Sequence, residues 1–543
     1  MTAPWFKDAI FYGIDVERFA DGNGDGIGDF VGLTQRLGYL RDLGVTCIWL
    51  LPFFGSPDRD NGYDVSDFMA VNPKVGTRDD FLAFLHKAGE HGIRVIIDLV
   101  VNHTSDQHPW FQAARRDEKS RYRDYYVWSG DPPPIAPGTV SIFPGEESTV
   151  WTYDEVARAY YFHKFYSFQP ELNIANPEVR EEILRIVDYW LSFGVSGFRL
   201  DAAPLIIGDN GLRQANPKDP HGVLRDLAAY IESRRPGALL LGEVNMPLEE
   251  TKKYFGEGDQ LGLLFNFMLA CHVFAGLARE SAETIYEALS GLPQPPENRG
   301  WANFLRNLDE LDFSQVPADL KADVFAKFAP RQDMQVYGRG VRRRLAPMLG
   351  GDARRVALAL SIIFSLRGPP LIVYGDEIGI GEDLEQEGRN AVRMPMQWSP
   401  ARNAGFSSAN ASALPLKPVS EGPFSYRRIN VADQVDDPKS LLNEVKRLIS
   451  VRRRSELIRL GRVVRLTADN PAIFISGYED ADAMLLVAHN LSAKPVKASV
   501  MLNPLRQQEL TDIASGRKYV VKKELALDLP PHGYCWLSSE AQV

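Results

Sequence analysis

Three carboxylic acids each close a short apolar run. Asp201 follows Gly197-Phe198-Arg199-Leu200, Glu243 follows Leu239-Leu240-Leu241-Gly242, and Asp309 follows Phe304-Leu305-Arg306-Asn307-Leu308. Runs of this length and composition read as buried strands, and an acid at the end of one is held rigidly where the strand leaves the sheet. In a (β/α)8 barrel such strand ends converge on one mouth, so acids far apart in sequence become neighbours. Paired carboxyl groups are the machinery of glycosidic bond cleavage. Arg199 stands two residues before Asp201, shares its strand face, and can keep that carboxylate ionised through a charge-assisted bond. Glu243 ends an apolar strand, where desolvation raises a carboxyl pKa and favours the protonated form. Taken alone, Arg199-Leu200-Asp201 would read as a structural ion pair and Glu243 as the cap of a following helix.

The elements that must position these acids are legible as alternating patterns. Strand candidates are Ile10–Ile14, Thr46–Leu51, Val95–Val101, Gly197–Leu200, Leu239–Leu241, Ala302–Leu305 and Leu371–Val373. Several are apolar almost throughout, as strands buried on both faces of a parallel sheet are. Ile183, Ile186, Val187, Trp190 and Leu191 recur at helical spacing, and Leu441, Leu442, Val445, Leu448 and Ile449 repeat that stripe. Alternating β and α elements leave a barrel or a doubly wound sheet, and about eight repeats favour the TIM barrel. The stretch from His103 to Pro170, rich in aromatics, Pro and Gly, breaks the rhythm and reads as a subdomain inserted after the third strand, over the barrel mouth. A second irregular region runs from Gly379 to Asp433. Beyond about Arg459 short alternating segments such as Ala483–Ala488 predict a C-terminal antiparallel β-sandwich. The expected division is a barrel over 1–103 and 171–458, an inserted subdomain over 104–170 and a C-terminal β domain over 459–543.

The formal charge of −10 argues against nucleic acid or an anionic membrane as the main partner, since both demand a basic surface. Three scattered cysteines, Cys47, Cys271 and Cys535, make a disulfide framework improbable and suit a reducing cytoplasm. No secretory leader pattern is visible at Met1–Asp8, and no uncharged apolar run approaches the ~18 residues of a membrane span. No feature sets an oligomeric state.

Four short motifs in order, Asp98-Leu99-Val100-Val101-Asn102-His103, Gly197-Phe198-Arg199-Leu200-Asp201, Gly242-Glu243 and Asn307-Leu308-Asp309, resemble those of the α-amylase superfamily (glycoside hydrolase family 13), above all its trehalose synthase and α-glucosidase branches. The resemblance runs from Trp5 to about Tyr534. It implies Asp201 as nucleophile, Glu243 as general acid/base and Asp309 as stabiliser of the transition state. It also implies that Asp64 and His103 bind hydroxyls of the sugar at the cleavage point, that Tyr63 stacks on its ring, and that Arg393 pairs with Asp64 to close the pocket. Such a pocket takes disaccharides or chain ends. Where the family has His, this chain has Leu308, which donates no hydrogen bond; losing one such bond costs on the order of 10²-fold in rate. Ala202, the small residue after the nucleophile, accompanies α-1,4 preference in related α-glucosidases.

Asp21-Gly22-Asn23-Gly24-Asp25-Gly26-Ile27-Gly28-Asp29 alternates oxygen-bearing side chains with Gly. Hard Ca²⁺ wants six to eight oxygens, whereas three Asp side chains would repel phosphate. The resemblance makes Asp21, Asn23, Asp25, Asp29 and the carbonyl of Ile27 the ligands of a structural Ca²⁺. The expected function is hydrolysis or transglucosylation of small α-glucosides through a covalent intermediate on Asp201. Maltose–trehalose isomerisation is the alternative, against which stand the acid-poor stretch Ala202–Gly208 and the sequence Gly242-Glu243-Val244-Asn245. Leu308 also makes a catalytically silent carbohydrate-binding homologue thinkable, and the retention of Asp201, Glu243 and Asp309 together speaks against it.

Overall fold

Eight parallel strands close a barrel in chain order: β1 (Phe11–Ile14), β2 (Cys47–Leu50), β3 (Arg94–Leu99), β4 (Gly197–Leu200), β5 (Leu239–Gly242), β6 (Leu263–Phe265), β7 (Gly300–Phe304) and β8 (Pro370–Val373). The computed structural model describes residues 4–133, 141–208, 219–502, 508–521 and 523–539. Closure is made by β1, which sets Phe11 opposite Leu371 of β8 and opposite Cys47 of β2. Every barrel-strand residue is buried except Arg94 at the start of β3, because side chains meet the barrel interior on one face and helices on the other. β6 was not among the expected strands. It holds three residues between Gly262 and Asn266, too few for a periodic signal.

The two expected helical stripes are real helices. Pro177–Ser192 starts at Asn176, whose side chain accepts from Glu178 N, and buries Ile183, Ile186, Val187, Trp190 and Leu191. Leu441–Arg454 starts at Ser440, which accepts from Asn443 N, and buries Leu441, Leu442, Val445, Leu448 and Ile449. A third helix, Ala353–Ser365, is buried from Val356 to Ser365 and so shows no single stripe. It lies between the barrel and the C-terminal sheet, where Ser361 Oγ meets His489 Nε2 and the Trp536 indole N–H, each at 3.0 Å.

Between β3 and β4 the chain builds a three-stranded antiparallel sheet from Trp128–Ser129, Trp151–Asp154 and Ala159–Phe162 over its own apolar cluster. Leaving and returning strands are stitched together: His103 bridges Glu171, and Leu172 N donates to Asn102 O at 2.8 Å. The C-terminal region is a six-stranded antiparallel sheet that begins at Arg462–Val464, with a two-stranded ribbon, Val496–Met501 and Glu524–Leu529, against it. Val496, Ala498 and Val500 of the ribbon share one cluster with Ile473, Ile475 and Leu486 of the sheet. The expected boundary at 458/459 falls inside a short helix, Glu456–Leu460. Among the described residues no helix is long and apolar enough to cross a membrane.

Gly197 opens β4 at φ +148°, and a Cβ there would overlap the Leu239 carbonyl of β5. Gly197→Ala therefore forces β4 and β5 apart. We expect it to lower unfolding free energy by on the order of 3 kcal/mol in urea titrations; an unchanged midpoint would contradict this reading.

Candidate active site

The exits of β3, β4 and β5 gather three carboxyl groups around one guanidinium. Arg199, its side chain 2% exposed, donates through Nη1 to Asp98 Oδ1 at 2.7 Å and also to Asp201 Oδ1, while Nη2 lies 2.9 Å from Glu243 Oε2. Asp98 is fully buried beneath the other two and accepts the Trp49 indole N–H at 3.2 Å. Asp201 and Glu243 thus flank one planar guanidinium fork, and a retaining mechanism needs such a nucleophile and acid ~5 Å apart about one sugar carbon.

The turn after β4 fixes Glu243 from the other side. Ala202 adopts the left-handed conformation, φ 44° and ψ 42°, and its N–H donates to Glu243 Oε2 at 3.1 Å. A non-glycine residue there carries strain. A small side chain suits this backbone, which gives the residue after Asp201 a local reason to be Ala.

Asp309 follows β7, which β6 separates from β5, and draws on different cations. Arg393 Nη2 is 2.7 Å from Asp309 Oδ1 and Arg389 Nη1 is 3.5 Å from the same oxygen, while Arg389 Nε pairs with Glu310 at 2.9 Å. Arg389 and Arg393 project from one 3-10 turn, Gly388–Val392, and the residue that ends it. This corrects the expected pairing of Arg393 with Asp64. Asp64 is fully buried, accepts Ser56 Oγ at 2.9 Å and lies 3.6 Å from Arg59 Nε. Arg393 is drawn instead to the Asp309 loop, where its Nε also donates to the Leu308 carbonyl at 2.9 Å.

Cation distribution sets proton distribution. Burial, reinforced by Asp201 and Asp309, pushes Glu243 up to about 7 against the pull of Arg199. Burial raises Asp98 to about 7 even beside Arg199. Burial works in the same direction on Asp309, but Arg389 and Arg393 outweigh it and hold that carboxylate at about 2. Asp98 is fully buried, so the site offers Glu243 as the carboxyl group ready to give a proton near neutrality and Asp309 as one that stays ionised.

Tyr63 is 5% exposed, with its ring centroid 5.9 Å from the Arg199 guanidinium and 6.0 Å from that of Arg393. His103 Nε2 sits 3.2 Å from the Tyr63 carbonyl and 3.3 Å from Gln169 Nε2, and burial lowers its pKa to about 4, so the imidazole is neutral. Tyr63 Oη and Arg393 Nη1 are buried without a hydrogen-bond partner. Leu308 is buried, 1% exposed, and only its backbone carbonyl meets Arg393.

The Asp21–Asp29 loop closes on itself. Asp21 accepts Gly24 N at 2.6 Å and Gly26 N at 2.8 Å, Asn23 Oδ1 accepts Asp25 N at 2.8 Å, and Asp29 accepts Gly32 N at 2.6 Å. Among the described residues no three His, Cys, Asp or Glu side chains form a metal-holding group. Asp21 Oδ2 also accepts Ser407 Oγ and Asp29 Oδ1 also accepts Gly22 N, whereas Asp21 Oδ1 and Asn23 Oδ1 each accept one N–H and keep a second lone pair. The donor set, three carboxylates, an amide oxygen and the Ile27 carbonyl, remains all-oxygen, as Ca²⁺ requires.

Sequence reasoning did not single out Asp98, Trp49, Arg389 or Gln169 as site residues. Asp98 had a signal, a charge inside the apolar run Val95–Leu99, and Arg389 stands four residues before Arg393. Gln169 had none: its contact with His103 spans 66 positions.

A profile of the α-amylase catalytic domain matches residues 14–314 and 329–461. The trehalose synthase/amylase TreS of Mycobacterium tuberculosis is 39% identical over 545 residues, spanning 98% of this chain and 90% of that protein. A trehalose synthase of Thermus thermophilus is 41% identical over 537 residues, 98% of this chain and 55% of that protein. The crystal structure of an α-amylase from H. orenii superposes with a TM-score of 0.76 at 30% identity, covering 98% of this chain and 100% of that one.

Arg199→Met would leave Asp98, Asp201 and Glu243 buried with no cation among them. We expect a loss of roughly 3–5 kcal/mol near neutral pH. Burial already raises Asp98 and Glu243, and losing Arg199 removes the pull that lowers them, so the variant gains stability as pH falls toward 5 and loses it as pH rises. Guanidinium melts at several pH values read this directly; a variant as stable as the parent at neutral pH would refute it.

Proposed function

The chain belongs to the α-amylase family of glycoside hydrolases, and on that premise we propose that it cleaves small α-glucosides with retention, through a glycosyl-enzyme on Asp201. The observation that supports this most is the shared Arg199 fork, with Asp201 on one Nη and Glu243 on the other. In the first step Glu243 passes its proton to the glycosidic oxygen while an Asp201 oxygen bonds to C1 and the aglycone leaves. Asp309, held anionic by Arg389 and Arg393, faces the positive charge that develops on the sugar ring. Once Asp201 is an ester its negative charge is gone, and with it one cause of the raised Glu243 pKa. Glu243, now ionised and bound to Arg199 Nη2, takes a proton from water or from a sugar hydroxyl, whose oxygen displaces Asp201 from C1. Asp64, Tyr63, His103 and Arg393 are read as the groups that grip the terminal sugar. Tyr63 and Arg393 are supported by their buried, unpartnered Oη and Nη1, and His103 by its contact with the Tyr63 carbonyl, while Asp64 rests on the family resemblance.

Water as acceptor gives hydrolysis and a sugar gives transfer. The second reading, maltose–trehalose interconversion, is favoured by the two trehalose synthases that match nearly the whole chain. We place the protein in the cytoplasm, a reading supported by three cysteines that are all free and buried. We also keep Ca²⁺ as a structural ion on Asp21, Asn23, Asp25, Asp29 and the Ile27 carbonyl, where it would neutralise the loop's carboxylates.

Incubation with maltose, trehalose and an aryl α-glucoside, followed by NMR, separates the routes: free glucose marks hydrolysis, a new disaccharide marks transfer, and no turnover removes the proposal. Glu243 must carry its proton for the first step, so kcat/KM should fall about tenfold per pH unit above about 7. Glu243→Gln should cut turnover of maltose at least ~10²-fold and abolish that limb; a limb that survives the substitution assigns the proton to another group. Leu308→His should not raise maltose turnover greatly, because the buried pocket is packed around Leu. A large gain without loss elsewhere would make Leu308 a defect. Chelation with EDTA should lower the melting temperature together with bound calcium; if neither falls, the ion has no place in the loop.

A further inference from the structure

The barrel's N-terminal end, opposite the acids, carries a cavity of about 1050 Å³ where it meets the C-terminal region. Its wall takes in Thr46 ahead of β2, Arg94 at the start of β3, Gly300 at the start of β7, and Tyr478 of the C-terminal sheet. Small-molecule sites run to ~300–1,000 Å³, so the volume suffices for a ligand of metabolite size.

Charge makes this cavity unlike the rest of the molecule. Nine Lys and Arg side chains line it against three Asp and Glu, in a chain of formal charge −10. Arg459 already engages two of those acids, Glu456 at 2.7 Å and Asp8 at 3.8 Å. Arg452 turns inward and spends its guanidinium on the carbonyls of Phe364 and Leu366, both at 2.6 Å. The remaining seven cations form no ion pair among the described residues, although Arg367 gives Nε and Nη2 to the carbonyls of Ile458 and Gly461, and Arg299 gives Nη1 and Nη2 to those of Asn298 and Gly258. Arg453 and Arg454 also answer the negative end of helix Leu441–Arg454, but Lys7, Arg94, Arg299 and Arg367 come from other elements. Arg299 Nε is buried without a hydrogen-bond partner. Burial and the neighbouring Arg367 hold the Lys7 ammonium below its ordinary value against the opposing pull of Asp8 and Glu297. Aromatic rings complete the lining: Trp5, under the Arg94 guanidinium at 4.7 Å, Tyr478, 5.9 Å from that of Arg367, and Tyr286.

We propose that this cavity is a second binding site, for a small phosphate ester whose phosphate sits between Lys7 and Arg367 and whose ring lies against the aromatic wall. The phosphate supplies an anion that pairs with the Lys7 ammonium and with Arg367 Nη1, the nitrogen of that guanidinium not given to a carbonyl. Because barrel and C-terminal region both line the cavity, occupancy ties them together and stabilises the folded chain. The ester's body has two sources, a sugar phosphate or a nucleotide.

The test is calorimetric titration and thermal melting of the full chain against inorganic phosphate, glucose 1-phosphate and AMP, with maltose present to fill the active site. Binding of one ester, with a raised melting temperature and affinity that weakens as salt rises, is expected. Which ester binds names the source. Lys7→Ala should weaken binding about tenfold or more and leave maltose turnover unchanged. Should that variant fold poorly, exposed Arg453→Ala carries the same readout. The proposal falls if neither ester binds at about 10 mM, if inorganic phosphate binds as tightly as both, if maltose displaces the ester, or if both variants bind as the parent does.

Discussion

One buried guanidinium governs the catalytic end of this protein. Arg199 faces Asp98, Asp201 and Glu243, and its single positive charge does not offset the burial that raises both Asp98 and Glu243. Glu243, the most exposed of the three with its side chain at 24%, is where a proton can be held near neutrality and can also leave. Asp309 has the opposite arrangement, with two guanidiniums facing it. Acid and anion thus differ by the number of cations each carboxyl group meets, and the two roles follow from that count.

The barrel supplies the rigidity this arrangement needs. Each acid follows a strand of only four or five residues, buried at every position, so its backbone has little freedom. The close approach of β4 and β5 at Gly197, and the strained turn at Ala202, bring the Asp201 and Glu243 exits onto one guanidinium fork. The insertion after β3 is stitched to the barrel where His103 meets Glu171. The same crossover carries Gln169 to His103.

The two ends of the barrel handle charge differently. At the C-terminal mouth every cation of the site meets a carboxylate, whereas at the opposite end most cations form no ion pair among the described residues. In an acidic chain that imbalance is kept only at a cost in self-repulsion, which is why the cavity reads as a place for an anion.

The sequence by itself determined what is local or periodic. Apolar runs gave seven of the eight barrel strands, i,i+3/i+4 stripes gave the helices Pro177–Ser192 and Leu441–Arg454, and strand-end acids gave Asp201, Glu243 and Asp309. These signals survive in one dimension because strands and helices repeat every 2 and 3.6 residues. Three-residue β6 was too short to repeat, and the helix Ala353–Ser365, buried on all sides, has no stripe to read. Only the tertiary structure decided which charge answers which. Arg393 went to Asp309 instead of Asp64, Arg389 joined it, and Asp98 slipped beneath Arg199. Such pairings are fixed by which strand ends and loops meet across the barrel mouth, 84 positions apart for Arg393 and Asp309, and no spacing along the chain encodes that meeting.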